Sequence, residues 1–180
     1  DNRYKFRGIE ARQRSTCAFV ADAQRDLVAT FGASGHDGER DPAAVCERLR
    51  IHLRRLRRGA VSPEDLTIRQ RVTRAADAYE QATRARAALE RASDLGLERH
   101  PGQSVEYVVV DDDATGAERV RLAFEVGDGA CVGGGYDADF YADRLVRACE
   151  SVVAPLGWDR KRVRRYLRDE RDATLDSFVE

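Results

Sequence analysis

The clearest chemical signal in the sequence is a short strand pattern that places arginine side chains on one face. Residues 66–72 alternate between apolar and polar types, with one polar residue at an inward position, which predicts a half-buried strand. Its outward positions hold Arg69 and Arg71, and Thr73 and Arg74 follow at a predicted strand-to-helix junction. A helix N-terminus flanked by donor side chains binds phosphate readily. These four residues therefore predict contact with a DNA or RNA backbone.

The segment upstream of this strand is also rich in arginine. Residues 48–74 contain nine arginines and only two acidic residues, in a chain whose net charge is −1. A basic surface of this density favours a polyanion as partner. Two plainer explanations stay open, because charged helix faces are usually only solvated and arginine is also abundant in proteins from GC-rich genomes.

No catalytic or metal-binding set is visible elsewhere in the sequence. The four cysteines form no C-x-x-C pair, so we expect reduced, buried thiols rather than a zinc site or a disulfide framework. The three histidines are isolated, and Asp111–Asp113 predicts a solvated hairpin turn rather than a metal site. The sequence has no apolar run of membrane-spanning length and no signal peptide, which predicts a cytoplasmic protein without membrane contact.

Helices dominate the predicted elements, and a small antiparallel hairpin lies between them. Helices are predicted over residues 18–31, 42–58, 75–95 and 138–153, and a last one ends near Leu167; the second, fourth and last are expected to be capped by Asp41, Asp137 and Asp159. Apolar residues three or four positions apart predict the buried faces of the first two helices: Phe19, Ala23, Leu27 and Phe31 in the first, and Val45, Leu49, Leu53 and Leu56 in the second. Strands are predicted over residues 3–9, 66–72, 104–110 and 119–126, with the last two paired as the hairpin. The fold class predicted is therefore α+β and mainly helical.

Four segments of the chain, in order, resemble the C-terminal part of a family B DNA polymerase of archaeal type. Tyr4–Ser15 is similar to the Arg-Gly-aliphatic-Glu strand that closes the palm, and Pro63–Tyr79 is similar to the Pro-Glu segment of the thumb. Gly96–Tyr107 resembles the Pro-Gly start of the thumb hairpin, and Tyr136–Trp158 resembles the terminal Tyr-Asp helix. The richness in arginine and aspartate suggests a haloarchaeal version.

The resemblance implies a mainly helical polymerase thumb with a small antiparallel hairpin and a palm-edge strand. It divides the chain into the end of the palm (1–16), the thumb (17–167) and a flexible tail (168–180). A thumb grips the primer–template duplex backbone during template-directed synthesis by the DNA-directed DNA polymerase, a nucleotidyltransferase. The family's catalytic carboxylates lie before the thumb, so the chain is expected to be a piece of a longer protein and inactive alone. This chain is expected to bind no cofactor, whereas the complete polymerase needs Mg²⁺.

The resemblance also assigns roles to individual residues. Three arginines match positions of primer-strand contact: Arg7, Arg12 and Arg14. Three residues match thumb positions that hold the duplex backbone: Arg71, Thr73 and Arg74. A Thr-Arg-Ala sequence replaces a Gly-Pro-His-like turn of the family, and its Arg84 is expected to take over a DNA contact.

The end of the chain is similar to a peptide that binds a sliding clamp. Thr174, Leu175 and Phe178 supply the expected clamp contacts, while Asp172 and Val179 depart from the glutamine and second aromatic of that pattern. The expected partners are thus duplex primer–template DNA, the remainder of the polymerase chain and a sliding clamp. Two rival interpretations remain: a stand-alone, non-catalytic DNA-binding or clamp-adaptor protein, and a split polymerase whose catalytic half is a separate chain.

Overall fold

Helices and a small sheet account for most of the chain in the structure, a computed structural model that describes residues 15–33, 40–79, 81–127 and 135–176, with side chains up to residue 169. The helices in these ranges are α1 (Ala18–Ala33), α2 (Pro42–Arg57), α3 (Arg84–Asp94), α4 (Ala123–Gly127), α5 (Ala138–Val153) and α6 (Arg160–Asp176). The strands are β1 (Ile68–Arg71), β2 (Ser104–Val109) and β3 (Val120–Leu122). The predicted mainly helical α+β class is confirmed, whereas the predicted strand over residues 3–9 lies outside the described residues.

Helices α1, α2 and α5 pack against one another and form the main part of the core. The predicted four-residue repeat on α1 is buried: Phe19, Ala23, Leu27 and Phe31. The stripe predicted on α2 is buried as well: Val45, Leu49, Leu53 and Leu56. Gln24 on α1 is fully buried, and its Nε2 donates to the carbonyl of Ala148 on α5 at 3.1 Å. The buried amide nitrogen is therefore satisfied by the neighbouring helix.

The predicted helix caps and cysteine states agree with the structure. The carboxylate of Asp41 accepts a hydrogen bond from the N–H of Ala43 at 2.8 Å, with Pro42 at the first helical position of α2. Asp137 caps α5 in the same way by accepting from the N–H of Phe140 at 2.9 Å. The cysteines within the described ranges are buried and free: Cys17, Cys46 and Cys149.

The three strands form an antiparallel sheet in the order β1-β2-β3. The hairpin of β2 and β3 was predicted, but β3 ends at Leu122 because α4 begins at Ala123. The pairing of β1 with β2, in which Arg69 lies opposite Glu106, was not predicted. Strand β1 thus forms one edge of the sheet.

The side chain of Tyr141 fastens α5 to this sheet. Its hydroxyl donates to the carbonyl of Leu66, in the 3₁₀ turn Pro63–Leu66, at 2.8 Å and accepts from the N–H of Val109 on β2 at 3.0 Å. Tyr141 is fully buried. One side chain therefore connects the helix with β2 and with the turn that leads into β1.

Two predicted helix boundaries were wrong. The helix predicted over residues 75–95 is a 3₁₀ turn at Ala76–Ala78 followed by α3, whose cap, Thr83, accepts from the N–H of Arg86 at 3.2 Å. Nη1 of Arg86 donates to the carbonyl of Tyr79 at 3.1 Å, which holds the bend before α3. The last helix, α6, continues to Asp176 rather than ending near Leu167, so Thr174 and Leu175 lie within it.

Candidate nucleic-acid interface

Strand β1 places its arginines on the solvent side, as predicted. Ile68 is buried, whereas Arg69 and Arg71 are exposed. Gln70 occupies the inward polar position, and its Oε1 accepts a hydrogen bond from the hydroxyl of Tyr107 at 2.9 Å. The one residue that breaks the alternation is thus satisfied by a neighbour on β2, and the outward face of β1 stays basic.

The two outward arginines differ in their partners. Arg69 lies 3.6 Å from the carboxylate of Glu106 across the sheet, with both side chains at least half exposed. Ion pairs this exposed stabilise a protein little, so an incoming anion can compete with Glu106. Arg71 lies opposite Ser104 and has no ion-pair partner in the described part of the chain. Arg71 therefore brings an uncompensated positive charge to the sheet edge.

Thr73 and Arg74 follow β1 on a backbone that is fixed by the next loop. Both the N–H and the carbonyl of Val72 are hydrogen-bonded, to the carbonyl of Gln103 and the N–H of Gly102 respectively, each at 2.8 Å. Thr73 is exposed with its Oγ1 3.4 Å from the hydroxyl of Tyr79, and Arg74 is exposed without an ion-pair partner among the described residues. The expected helix N-terminus is absent here, so anion contacts at this position depend on side chains.

Arg84, the first residue of α3, is already engaged. Its Nε and Nη2 donate to both carboxylate oxygens of Asp112 at 2.7 and 2.5 Å. The guanidinium carbon of Arg84 also lies 4.4 Å from the ring centroid of Phe140. A DNA contact by Arg84 stays a prediction, and a phosphate group would have to compete with Asp112 for its guanidinium.

The predicted turn at Asp111–Asp113 is present and Asp111 and Asp113 are exposed, but Asp112 is half-buried at the centre of a small ion cluster rather than solvated. Besides the two hydrogen bonds from Arg84, it accepts one from Nη2 of Arg119 at 2.7 Å. Burial alone would raise the pKa of Asp112, but the hydrogen bonds from Arg84 and Arg119 outweigh that effect and hold the pKa below its ordinary value. The carboxylate therefore stays ionised and neutralises part of the arginine charge.

A cleft of about 430 Å³ lies between β1, the start of α3 and α5. Its wall includes four arginines and four other polar side chains: Arg69, Arg71, Arg84, Arg144, Ser15, Gln70, Thr83 and Tyr107. The structure thus brings together three of the arginines predicted to bind DNA with one that was not predicted, Arg144. The signal for Arg144 in the sequence is its position four residues after Phe140, next to the buried stripe of α5.

The remaining arginines of residues 48–74 have mixed environments. Arg48 donates to Asp26 and Arg50 donates to Glu47, so both take part in ion pairs. The guanidinium of Arg55 lies 5.8 Å from the ring centroid of Phe19. The other three are exposed and have no ion-pair partner within the described residues: Arg54, Arg57 and Arg58. Part of this arginine density therefore serves local packing.

Several predicted contacts fall outside the described residues. These are the three primer-strand arginines, Arg7, Arg12 and Arg14, and the clamp residue Phe178. The side chains of Thr174 and Leu175 are not described either. Among the described residues no group of three or more His, Cys, Asp or Glu side chains is placed to hold a metal ion. No helix in the described ranges is long and apolar enough to cross a membrane.

Comparison with solved structures shows which fold this is. The chain is similar to the family B DNA polymerase from the hyperthermophilic archaeon Pyrobaculum calidifontis, with a TM-score of 0.58 and 21% sequence identity. The similarity covers 77% of this chain and 18% of that polymerase chain. No family description matches the sequence, and neither does any curated protein. The chain therefore shares the fold of a part of an archaeal family B polymerase.

Proposed function

We propose that this chain is the thumb of a DNA-directed DNA polymerase of family B and that it grips the backbone of the primer–template duplex. The observation that carries this proposal is the fold similarity, over 77% of the chain, to an archaeal polymerase of that family. The four sequence segments that resemble the same family support it independently. The similarity does not favour a stand-alone DNA-binding or clamp-adaptor protein.

The grip is assigned to the outward face of β1 and the residues that follow it. Arg71 and Arg74 are exposed and have no counter-charge within the described ranges, so phosphate groups can approach them without displacing an acid. A guanidinium donates two parallel hydrogen bonds to a phosphate, which fixes the register of the strand as well as adding affinity. The exposed hydroxyl of Thr73 lies between them in sequence and adds a further donor.

Contacts of this kind give affinity without sequence preference. Phosphate contacts carry no sequence information, and a thumb must follow the duplex over every template. Mg²⁺ and the catalytic carboxylates are assigned to the remainder of the polymerase chain, as the resemblance implies. In this proposal the present chain contributes binding and orientation of the duplex.

The proposal is tested by titrating the 180-residue chain against labelled duplexes of unrelated sequence and following fluorescence anisotropy. Arg71→Ala and Arg74→Ala should weaken binding to every duplex by the same factor. Arg25→Ala is the matched control, because Arg25 is an exposed α1 arginine whose described partner is Asp22. A wild-type chain that does not bind duplex DNA, or a loss equal to that of Arg25→Ala, would overturn the proposal.

A further inference from the structure

The cleft between β1, α3 and α5 contains more positive charge than the protein itself balances. Four of its lining residues are arginines, and none of the residues that line it is acidic. From outside the cleft, Glu106 pairs with Arg69 and Asp112 pairs with Arg84. Arg71 and Arg144 have no carboxylate partner in the part of the chain that the structure describes. Two guanidinium groups therefore face the cleft uncompensated.

Arg144 is the more informative of the two because it is half-buried. Its Nε is buried and has no hydrogen-bond acceptor among the described residues, and its guanidinium carbon lies 4.6 Å from the ring centroid of Phe140. None of the groups with the largest effects on the pKa of Arg144 is a carboxylate. Burial, and then the charge of Arg84, lower the pKa of Arg144.

A buried cation without a partner destabilises a fold. Contact with the face of Phe140 offsets only part of that cost, since a cation–π contact contributes on the order of 1–2 kcal/mol. Nothing among the contacts within the described ranges explains why α5 holds a charged residue at this position. An anion in the cleft would supply the missing partner.

The start of α3 lies at the same cleft. The first N–H groups of a helix have no acceptor within the helix. On α3 the N–H of Arg86 is taken by the side chain of Thr83 at 3.2 Å, and that of Ala87 by the carbonyl of Thr83 at 3.0 Å. Among the described residues no acceptor is present for the N–H groups of Arg84 and Ala85, and both residues line the cleft. Backbone donors at a helix start favour phosphate.

We propose that this cleft is a phosphate-binding site in which Arg144 and Arg71 are the charged ligands and the start of α3 supplies backbone donors. As a contact to DNA, the site rests on the proposed function: Arg71 and Arg144 hold one backbone phosphate in the cleft, next to the phosphate bound by Arg74. As a site for free phosphate or pyrophosphate, it stands without that function. The volume of the cleft, about 430 Å³, leaves room for a phosphate and the sugar attached to it.

Arg144→Met tests the site because it keeps a long side chain and removes the charge. We expect the melting temperature of the ligand-free chain to rise by a few degrees, since an unpaired, half-buried charge is lost. Duplex affinity should fall about tenfold or more, which corresponds to the loss of one hydrogen bond from a charged group. Arg147→Met is the matched control on α5, where Arg147 is exposed, and it should change neither quantity. Arg144→Lys keeps the charge and should retain most of the affinity.

Adding pyrophosphate at matched ionic strength distinguishes a site for free phosphate from a contact to DNA. The melting temperature is the readout. Stabilisation of the wild type but not of Arg144→Met, with duplex affinity unchanged, would support a site for free phosphate and contradict the DNA contact. Loss of duplex affinity in Arg144→Met without a pyrophosphate effect would assign the site to DNA. A wild type that binds pyrophosphate through Arg144 but no duplex would refute the proposed function alone. If Arg144→Met and Arg147→Met behave alike in both assays, the phosphate site is refuted.

Discussion

The hydroxyl of Tyr141 makes a measurable contribution to the fold that a single substitution can isolate. Tyr141→Phe keeps the buried ring and removes the oxygen that donates to the carbonyl of Leu66 and accepts from the N–H of Val109. Burial raises the pKa of Tyr141, so the hydroxyl remains protonated and able to donate at any pH of interest. Each buried backbone group left without a partner costs about 1–2 kcal/mol. We therefore expect the free energy of unfolding to fall by about 3 kcal/mol.

Urea unfolding, followed by the fluorescence of the single tryptophan, Trp158, measures this change. The urea midpoint should fall while the m-value stays constant, because the surface exposed on unfolding is the same. Tyr79→Phe is the matched control: it removes a hydroxyl whose described contact is an exposed one to Thr73 at 3.4 Å, and it should cost less than about 0.5 kcal/mol. A loss below about 1 kcal/mol for Tyr141→Phe, or one equal to the control, would refute the reasoning.

Three further predictions concern acid stability, catalysis and the tail. Although burial opposes it, hydrogen bonding by Arg84 and Arg119 keeps the pKa of Asp112 low, so the stability that Asp112 contributes is present at neutral pH and is lost as the pH falls below about 4. Asp112→Asn should make the urea midpoint depend less on pH between about 6 and 2, the range in which a carboxyl group of lowered pKa titrates. An unchanged pH profile would contradict the ion pairs of Asp112 with Arg84 and Arg119. The 180-residue chain alone should incorporate no nucleotide with Mg²⁺ and primer–template present, and template-dependent extension would contradict this. In the full-length polymerase, Phe178→Ala should abolish stimulation by the clamp and leave clamp-free DNA binding unchanged; tail-peptide binding that is indifferent to this change would contradict the clamp contact.

Much of the fold follows from periodicity in the sequence. The apolar repeats of α1 and α2 and the caps at Asp41 and Asp137 specify those helices locally, and the structure confirms them. Alternation specified the inward and outward faces of β1 in the same way. Local patterns succeed where the burial of one face decides the structure.

The errors arise where distant contacts override local preference. Residues 75–95 are rich in alanine and favour helix, but the bend held by Arg86 and the carbonyl of Tyr79 delays the helix until Arg84. Asp112 looked like a solvated turn residue because its partners lie 28 and 7 positions away in the chain, at Arg84 and Arg119.

Arg144 was missed for the same reason. It lines the cleft only because residues of β1, α3 and α5 meet there, which no spacing within the sequence reveals. Arg69 and Arg71, by contrast, could be predicted, because their exposure follows from the strand pattern itself.

The salt dependence of binding tests most directly whether the face beginning at β1 binds duplex phosphates. The slope of log K against log salt concentration reports the number of phosphate contacts, at about 0.9 for each contact on B-form DNA. We predict a steep negative slope for the wild type, a reduction of about one in Arg71→Ala and again in Arg74→Ala, and no reduction in Arg25→Ala. Slopes that are equal in all four proteins, together with altered preference among DNA sequences in the first two variants, would contradict the account.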